Sequence, residues 1–254
     1  MKKEKIYLDV NGNNIYGILE CPDPEPGRKI PLVIMMHCFM GSTGENGFFE
    51  LGRMFRSHGA ATLRFDFVGH GRSEGTLMDM TITALQADAE AMLQHALTLD
   101  FISDIYLLGH SIGGVIATYI AAEHPDLIKG LLLLAPACNA RYAAESGLLF
   151  DLEFDPCNLP EYIENPEIGL VLSRKYIEES LEMDIFDRPS VYEGPVLAVS
   201  GENDKRVPAE FVERYRNTFK NFEYHLIPEI DHMFSPNTDS LVNCTENFFS
   251  RLIG

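Results

Sequence analysis

The stretch "LLGHSIGGVIA", residues 107–117, places a serine between an apolar run and a segment of small and apolar residues. It holds a G-x-S-x-G pattern, in which Gly109 and Gly113 flank Ser111. The first part predicts a strand and the second a helix. A serine in so sharp a strand-to-helix turn adopts strained backbone angles, and glycine on each side leaves room for the bend. A bare G-x-S-x-G can be an ordinary glycine-rich turn, but this context predicts a nucleophilic hydroxyl facing a helix amino terminus.

Strand and helix patterns alternate along the rest of the chain. Two apolar runs around "NGN" at 11–13 predict an N-terminal β-hairpin. A helix is predicted over 81–99, with one apolar stripe. The further strand candidates are continuous apolar runs: "PLVIMMH" (31–37), "AATLRFD" (60–66), "DIYLLGH" (104–110), "KGLLLLAPA" (129–137), "GPVLAVSG" (194–201) and "FEYHLIPE" (222–229). Runs of this kind suit strands buried on both faces, so the pattern predicts a doubly wound, mostly parallel α/β sheet.

One connection is too long for a simple crossover. Residues 138–190 mix aromatic, proline and acidic residues between two predicted strands. We interpret this segment as a small cap inserted in a single domain that spans residues 1–254; the alternative is an ordinary pair of helices packed on the sheet. The part "EIGLVLSRKYIEESLEMDIF", at 167–186, predicts helix in either case.

Composition excludes several classes of partner. A chain of 254 residues that is 46% hydrophobic can form a real core. Its formal net charge of -18 opposes binding to nucleic acid and to anionic membranes. No apolar run approaches the roughly 20 residues of a membrane helix, and the amino terminus lacks a signal-like apolar segment. The five cysteines are widely spaced and show no zinc-site pattern. We therefore expect a cytoplasmic protein with reduced thiols, no metal and no cofactor.

A serine hydroxyl needs a base, and His232 is the best candidate of the eight histidines. It follows the last predicted strand and precedes the final helical segment. His110 is interpreted as packing under the turn. The remaining histidines lie in or beside helices, in a strand, in a glycine-rich loop or at the end of a strand: His58, His95, His124, His225, His70 and His37.

The base in turn needs a carboxylate to hold its ring. Asp204 in "SGENDKRVP" lies just past a predicted strand and can reach the carboxyl edge of the sheet. Asp231 is the main rival, but its adjacency to His232 would require an awkward bend, so we interpret it as a loop hydrogen-bonding residue. Glu202, in the same turn as Asp204, is a weaker rival.

The loop "HCFMGS", residues 37–42, sets a thiol beside an imidazole. Cys38 and His37 could form a Cys/His nucleophile pair, but no third residue in the sequence orients it. The better interpretation is an oxyanion loop, since a tetrahedral intermediate needs two backbone N–H donors. On that interpretation, Phe39 supplies one donor and Ile112 the other, and His37 holds the loop by hydrogen bonding.

With these motifs in hand, the chain resembles the α/β-hydrolase superfamily and, within it, the bacterial cinnamoyl or feruloyl esterases. The resemblance covers nearly the whole chain. It rests on "HCFMGS", "LRFDFVGHGRSEG" (63–75), "GHSIGG" (109–114), "LLLLAPA" (131–137), "DHMF" (231–234) and the cap run "FDPCNLP" (154–160). It implies an α/β-hydrolase fold: a mostly parallel central sheet flanked by helices, with a small cap inserted after the sixth strand.

The resemblance also implies a serine carboxylesterase that works through an acyl-enzyme. Ser111 would be the nucleophile, His232 the base and Asp204 its partner, in the chain order found in this superfamily. Two positions depart from the family pattern: Cys38 replaces a glycine, and Ile112 replaces a glutamine. Both leave the backbone donors in place but alter the mouth of the site, which leaves the acyl specificity open.

The expected substrate is a small ester, with hydroxycinnamoyl (feruloyl) esters as one class. The alternatives are a monoacylglycerol-lipase-like hydrolase, an acyltransferase, a peptidase of related fold and, remotely, a non-catalytic ligand-binding module. The expected partners are a small-molecule ester, neither nucleic acid nor membrane, and a second copy of the chain as a candidate homodimer.

Overall fold

A mostly parallel eight-stranded sheet forms the centre of the computed structural model, which describes residues 2–22, 27–45 and 47–253. The strands are β1 (Lys2–Val10), β2 (Asn13–Cys21), β3 (Ile30–Met36), β4 (Ala61–Phe65), β5 (Ile102–His110), β6 (Ile128–Leu134), β7 (Leu148–Leu149), β8 (Leu152–Glu153), β9 (Tyr162–Asn165), β10 (Leu170–Ser173), β11 (Pro195–Gly201) and β12 (Asn221–Ile227). The helices are α1 (Phe48–Ser57), α2 (Ile82–Leu97), α3 (Ile112–Glu123), α4 (Ala140–Glu145), α5 (Arg174–Leu181), α6 (Ala209–Glu213) and α7 (Asp239–Ile253).

The strand order in the central sheet is β1-β2-β4-β3-β5-β6-β11-β12. Strands β1 and β2 form the predicted antiparallel hairpin, and β2 pairs antiparallel with β4. All later neighbours pair in parallel. The prediction of a mostly parallel α/β sheet is therefore confirmed. Because parallel strands point the same way, the loops after β3, β5, β11 and β12 meet at one edge of the sheet.

Both faces of the sheet are covered, as the continuous apolar runs predict. Successive residues of β3, from Leu32 to Met36, have no exposed surface, and their side chains divide between two hydrophobic cores. One core includes α2 and α3, and the other includes α1 and α7. This sandwich holds the sheet rigid, so the loops at its carboxyl edge start from well-defined positions.

Helix α2 buries the predicted apolar stripe, and one carboxyl group is buried beside it. Asp88 is 2% exposed among apolar neighbours on the same helix. Its Oδ2 accepts a hydrogen bond from the Val68 backbone N–H at 2.8 Å. Burial raises the pKa of Asp88 from 3.8 to about 7, because a charged carboxylate loses its hydration there. The folded chain therefore retains a proton on Asp88 that an unfolded chain releases near pH 4.

This retained proton makes stability depend on pH. Between pH 4 and pH 7 the folded state binds more protons at Asp88 than the unfolded state does. The free energy of unfolding should therefore fall as the pH rises through this range. An asparagine side chain at this position would stay neutral, and its oxygen could accept the Val68 N–H. We expect the free energy of unfolding of Asp88→Asn, relative to that of wild type, to rise by roughly 2 to 4 kcal/mol between pH 4 and pH 8, as measured by urea unfolding. If the difference in the free energy of unfolding between the variant and wild type is the same at both pH values, this assignment is wrong.

The chain between β6 and β11 includes the region predicted as a cap, about 138–190. It contains α4, a β7–β8 hairpin, a β9–β10 hairpin, α5 and a 3₁₀ turn at Arg188–Val191. The two hairpins form their own two-stranded sheets. Helix α5 lies within the predicted helical part, whereas the hairpins have no clear signal in the sequence because their strands are two to four residues long. Among the described residues, no helix combines the length and apolar character needed to cross a bilayer.

Candidate active site

Ser111 lies in a strained turn between β5 and α3. Its φ of 54° and ψ of -118° lie outside the regions that L-residues favour. The flanking glycines make the turn possible. A Cβ on Gly109 would stand 2.2 Å from the Gly113 carbonyl oxygen, and one on Gly113 would stand 2.4 Å from the Met36 carbonyl oxygen. The backbone can therefore close so tightly only with glycine at both positions, as the sequence pattern predicts.

The structure brings Asp204 and His232 into direct contact, although 28 residues separate them in sequence. His232 Nδ1 lies 2.7 Å from Asp204 Oδ2. The other carboxylate oxygen, Oδ1, accepts the backbone N–H groups of Arg206 at 2.8 Å and Val207 at 2.9 Å. The Asp204 side chain has no exposed surface. Because a carboxylate only accepts, Nδ1 carries the proton and Nε2 is left as the proton acceptor.

His232 lies against the nucleophile turn through His110. The two imidazole rings are 4.9 Å apart between centroids, and His110 Nε2 lies 2.9 Å from the His232 carbonyl oxygen. The hydrogen bonds of the described residues do not include one between the Ser111 hydroxyl and the His232 ring. Contacts between a nucleophile and its base are often long without substrate and shorten when it binds.

The rival carboxylates have other partners. Asp231 Oδ1 accepts the backbone N–H groups of Met233 at 3.0 Å and Ser235 at 2.8 Å, which is the predicted loop role. Glu202 Oε2 accepts the backbone N–H of Glu229 at 3.2 Å. Neither group contacts the His232 ring in the hydrogen bonds of the described chain, so Asp204 is the carboxylate that the fold presents to His232.

The Phe39 and Ile112 amides are the two predicted to stabilise an oxyanion. Among the hydrogen bonds of the described residues, neither the Phe39 N–H nor the Ile112 N–H has an acceptor. Ile112 is the first residue of α3, where an N–H has no partner in the helix. Two such amides, one of them in the residue after Ser111, suit an oxygen that gains negative charge.

The loop that carries Phe39 is held by two neutral histidines. His37 Nδ1 donates to the Cys38 carbonyl at 2.7 Å, and its Nε2 accepts the Phe67 N–H at 3.0 Å. His70 Nε2 accepts the Met40 N–H at 3.2 Å. Burial lowers the pKa of His37 and brings that of His70 to about 4, so both rings are neutral near pH 7. His37 thus has the predicted loop-holding role.

Cys38 is a buried residue of this loop and does not resemble an activated nucleophile. The residue is 5% exposed, and burial raises the pKa of its thiol. A nucleophilic cysteine requires a lowered pKa and access to substrate. The Cys/His alternative left open by the sequence therefore has no support in the structure.

A buried ion pair behind the site has no signal in the sequence. Glu45 Oε1 contacts His110 Nδ1, and Glu45 Oε2 accepts the Cys38 N–H at 2.7 Å. Glu45 follows the loop in "GENGFF" without any periodic pattern, and the sequence predicts only that His110 packs under the turn. Residue spacing does not reveal this ion pair, because the two residues are 65 positions apart.

Within the described part of the chain, two groups of side chains have the donor atoms for a metal ion. Cys38, Glu45 and His110 form one, and the partly exposed Glu90, Glu123 and His124 form the other; in each, one ligand atom per residue lies within 4.8 Å of the rest. In the first group, Glu45 and His110 already bond to each other and to backbone groups. In the second, Glu90 Oε2 lies 2.8 Å from His124 Nε2. These contacts account for both groups without an ion.

The cap region reaches the candidate site at the tip of the β7–β8 hairpin. Phe150 stacks on Phe39, with ring centroids 4.0 Å apart and planes inclined by 24°. The next residue, Asp151, forms an ion pair with Arg206 at 2.8 Å. The tip therefore contacts both the loop that carries Phe39 and the loop that carries Asp204.

Comparisons with known proteins place the chain in a family of hydrolases. The pattern of the family described as "Serine aminopeptidase, S33" matches residues 28–239. The structure of Est1E from Butyrivibrio proteoclasticus with bound ferulic acid superposes with a TM-score of 0.91 at 32% sequence identity, covering 98% of this chain and 99% of that one.

Curated relatives include lipases and esterases. Mouse monoglyceride lipase is 36% identical over 102 residues, which is 39% of this chain and 33% of the lipase. The present chain thus spans about a third of the length of that relative. A putative esterase/lipase from Mycoplasma pneumoniae is 25% identical over 223 residues, with 75% of this chain and 78% of the relative covered.

Proposed function

Because this chain belongs to the serine aminopeptidase S33 family of α/β-hydrolases, we propose that it is a serine carboxylesterase that hydrolyses small esters through an acyl-enzyme. Ser111 is the nucleophile, His232 the general base and Asp204 the residue that orients it. The observation that carries the proposal is the 2.7 Å contact between His232 Nδ1 and Asp204 Oδ2 beside the strained Ser111 turn.

The reaction proceeds in two acyl-transfer steps. His232 Nε2 takes the Ser111 proton as the hydroxyl attacks the ester carbonyl, and the Phe39 and Ile112 amides stabilise the resulting oxyanion. The tetrahedral intermediate collapses, and the alcohol leaves with the proton from His232. Water then attacks the acyl-enzyme by the same route and releases the carboxylic acid.

For the acyl group we propose a hydroxycinnamoyl class, of which ferulate is one member. Two observations support this choice: the likeness to the ferulic acid complex over nearly the whole chain, and the Phe39–Phe150 pair beside the oxyanion amide. A flat aromatic acyl group can pack against such rings. Cys38 and Ile112 differ from the family pattern only in their side chains, so the amide donors are kept.

A second candidate is hydrolysis of monoacylglycerols. The 36% identity to mouse monoglyceride lipase favours it, although that match covers 39% of this chain. A long acyl chain needs an extended apolar channel, whereas the Phe39–Phe150 pair presents a flat wall.

A substrate panel separates these candidates. We would measure kcat/KM for methyl ferulate, p-nitrophenyl esters from short to long acyl chains, a monoacylglycerol and an amino-acid p-nitroanilide. We expect a higher kcat/KM for methyl ferulate than for aliphatic acyl esters of similar size. A maximum at long chains would favour the monoacylglycerol alternative, cleavage of the anilide alone would favour a peptidase, and no turnover at all would refute the esterase proposal.

A further inference from the structure

A buried carboxylate and a buried imidazole lie behind the proposed site and take no part in the two acyl-transfer steps. The side chains of Glu45 and His110 are 1% and 2% exposed, and they contact each other through Oε1 and Nδ1. Burying either charge alone would be costly, so each group makes the other tolerable at this depth. The pair therefore behaves as one unit.

Each partner also bonds to the backbone of a different part of the site. Glu45 Oε2 accepts the Cys38 N–H at 2.7 Å, one residue before the proposed donor Phe39. His110 Nε2 donates to the carbonyl oxygen of His232 at 2.9 Å. The chain of contacts thus runs from the oxyanion loop, through the ion pair, to the main chain of the proposed base.

The charge on His110 is what allows both contacts. Nε2 faces a carbonyl and Nδ1 faces a carboxylate, and both of these only accept, so both nitrogens must carry protons. Burial alone would lower the pKa of His110, but the neighbouring Glu45 carboxylate raises it well above the ordinary value. Burial would likewise raise the pKa of Glu45, but His110 and the Cys38 N–H hold it below the ordinary value.

The space around Glu45 is adapted to this arrangement. A Cβ on Gly41 would stand 2.5 Å from Glu45 Oε2, so glycine at 41 leaves room for the carboxylate beneath the loop. The Cys38 thiol also lies beside His110 and Glu45 and remains neutral, because burial raises its pKa. The loop, the acid and the imidazolium thus pack as one assembly.

We propose that Glu45 and His110 are positioning residues, which hold the Phe39 amide and the His232 main chain in one fixed arrangement around the reacting ester. Neither residue touches the substrate. The inference rests on the proposed function of Ser111 and His232. Removing the Glu45 charge would leave His110 neutral, and in a glutamine variant the amide NH₂ would donate to His110 Nδ1. Neutral hydrogen bonds are about half as strong as charge-assisted ones, so both sides of the site would be held less firmly. Misplacement by about 1 Å lowers turnover about 100-fold, so kcat should fall while KM changes little.

The test begins with Glu45→Gln, whose amide oxygen can still accept the Cys38 N–H. We expect kcat for p-nitrophenyl acetate to fall about 10- to 100-fold, with KM within about twofold of wild type. The matched control is Glu246→Gln, which removes the carboxylate charge from the 2.7 Å contact between Glu246 and His58, away from the site. Its kcat and KM should equal those of wild type. A folded Glu45→Gln with wild-type kcat would overturn the proposal.

Two further measurements keep the test decisive. In nitrogen-15 NMR spectra at about pH 8, wild-type His110 should show two protonated ring nitrogens, and titration near the ordinary histidine pKa of about 6.5 would overturn the proposal. If Glu45→Gln fails to fold, Glu45→Asp keeps the charge but shortens the side chain by one methylene, so one of the two contacts is lost and kcat should again fall. A folded Glu45→Asp with wild-type kcat would also overturn the proposal.

The outcomes also separate this inference from the proposed function. If wild type hydrolyses no ester and a fluorophosphonate does not label Ser111, the proposed function fails and the positioning role fails with it. If wild type is active and the Ser111→Ala variant is not, but Glu45→Gln matches wild type, only the positioning role is wrong.

Discussion

Ser111→Ala and His232→Ala should each lower kcat for an activated ester by on the order of 10⁶-fold, and the double variant should be no slower than either single one. The hydroxyl and the base act in the same proton transfer, so either substitution alone already prevents that transfer. Residual turnover would come from the Phe39 and Ile112 amides, which these substitutions leave in place.

Rate measurements under saturating substrate check this result. A serine-directed fluorophosphonate should label wild type at Ser111 and leave the alanine variant unlabelled. Circular dichroism should show native structure in each variant, because Ser111 and His232 lie in loops at the edge of the sheet. Activity within about tenfold of wild type in folded Ser111→Ala would exclude this serine as the nucleophile.

Asp204→Asn should lower kcat by about 10⁴-fold, because the amide would hold His232 in the wrong tautomer. The Arg206 and Val207 N–H groups both point at Oδ1, so the oxygen of the new amide must take that side. Its NH₂ group would then face His232 Nδ1 at the position of Oδ2. The ring would move its proton to Nε2, which could no longer accept the Ser111 proton.

Asp231→Asn is the matched control, since it makes the same change in the residue next to His232. The new amide oxygen can still accept the Met233 and Ser235 N–H groups, so kcat should stay within a few-fold of wild type. The reverse result, with Asp231→Asn inactive and Asp204→Asn active, would show that Asp231 orients the base.

Much of the fold was predictable from local patterns. The strands of the central sheet carry continuous apolar runs, because both of their faces are buried, and the stripe of α2 repeats with helical period. The small hairpins between β6 and β11 were not predictable. Their strands have two to four residues, too few for a period to show, and contacts with the rest of the protein hold them in place.

The local chemistry of the nucleophile turn was also encoded in sequence. Gly109 and Gly113 around Ser111 indicate a turn that has no room for a side chain at either position. The structure shows the backbone atoms that a Cβ at each position would meet. The candidate acid and base could be named because each follows a predicted strand, and parallel strands end at one edge. The sequence also favoured Asp204 over Asp231, whereas the 2.7 Å contact of Asp204 with His232 depended on the loop geometry.

What the sequence determined by itself is therefore the α/β sheet, the nucleophile turn and a short list of partners for it, because those features depend on residues a few positions apart. Only the tertiary structure decided that Asp204 is in direct contact with His232 and how Glu45, His110 and the loop at 37–42 come together. The physical reason is that a hydrogen bond or ion pair between residues 28 or 65 positions apart exists only when the packed strands bring their ends together, and no local pattern records that distance.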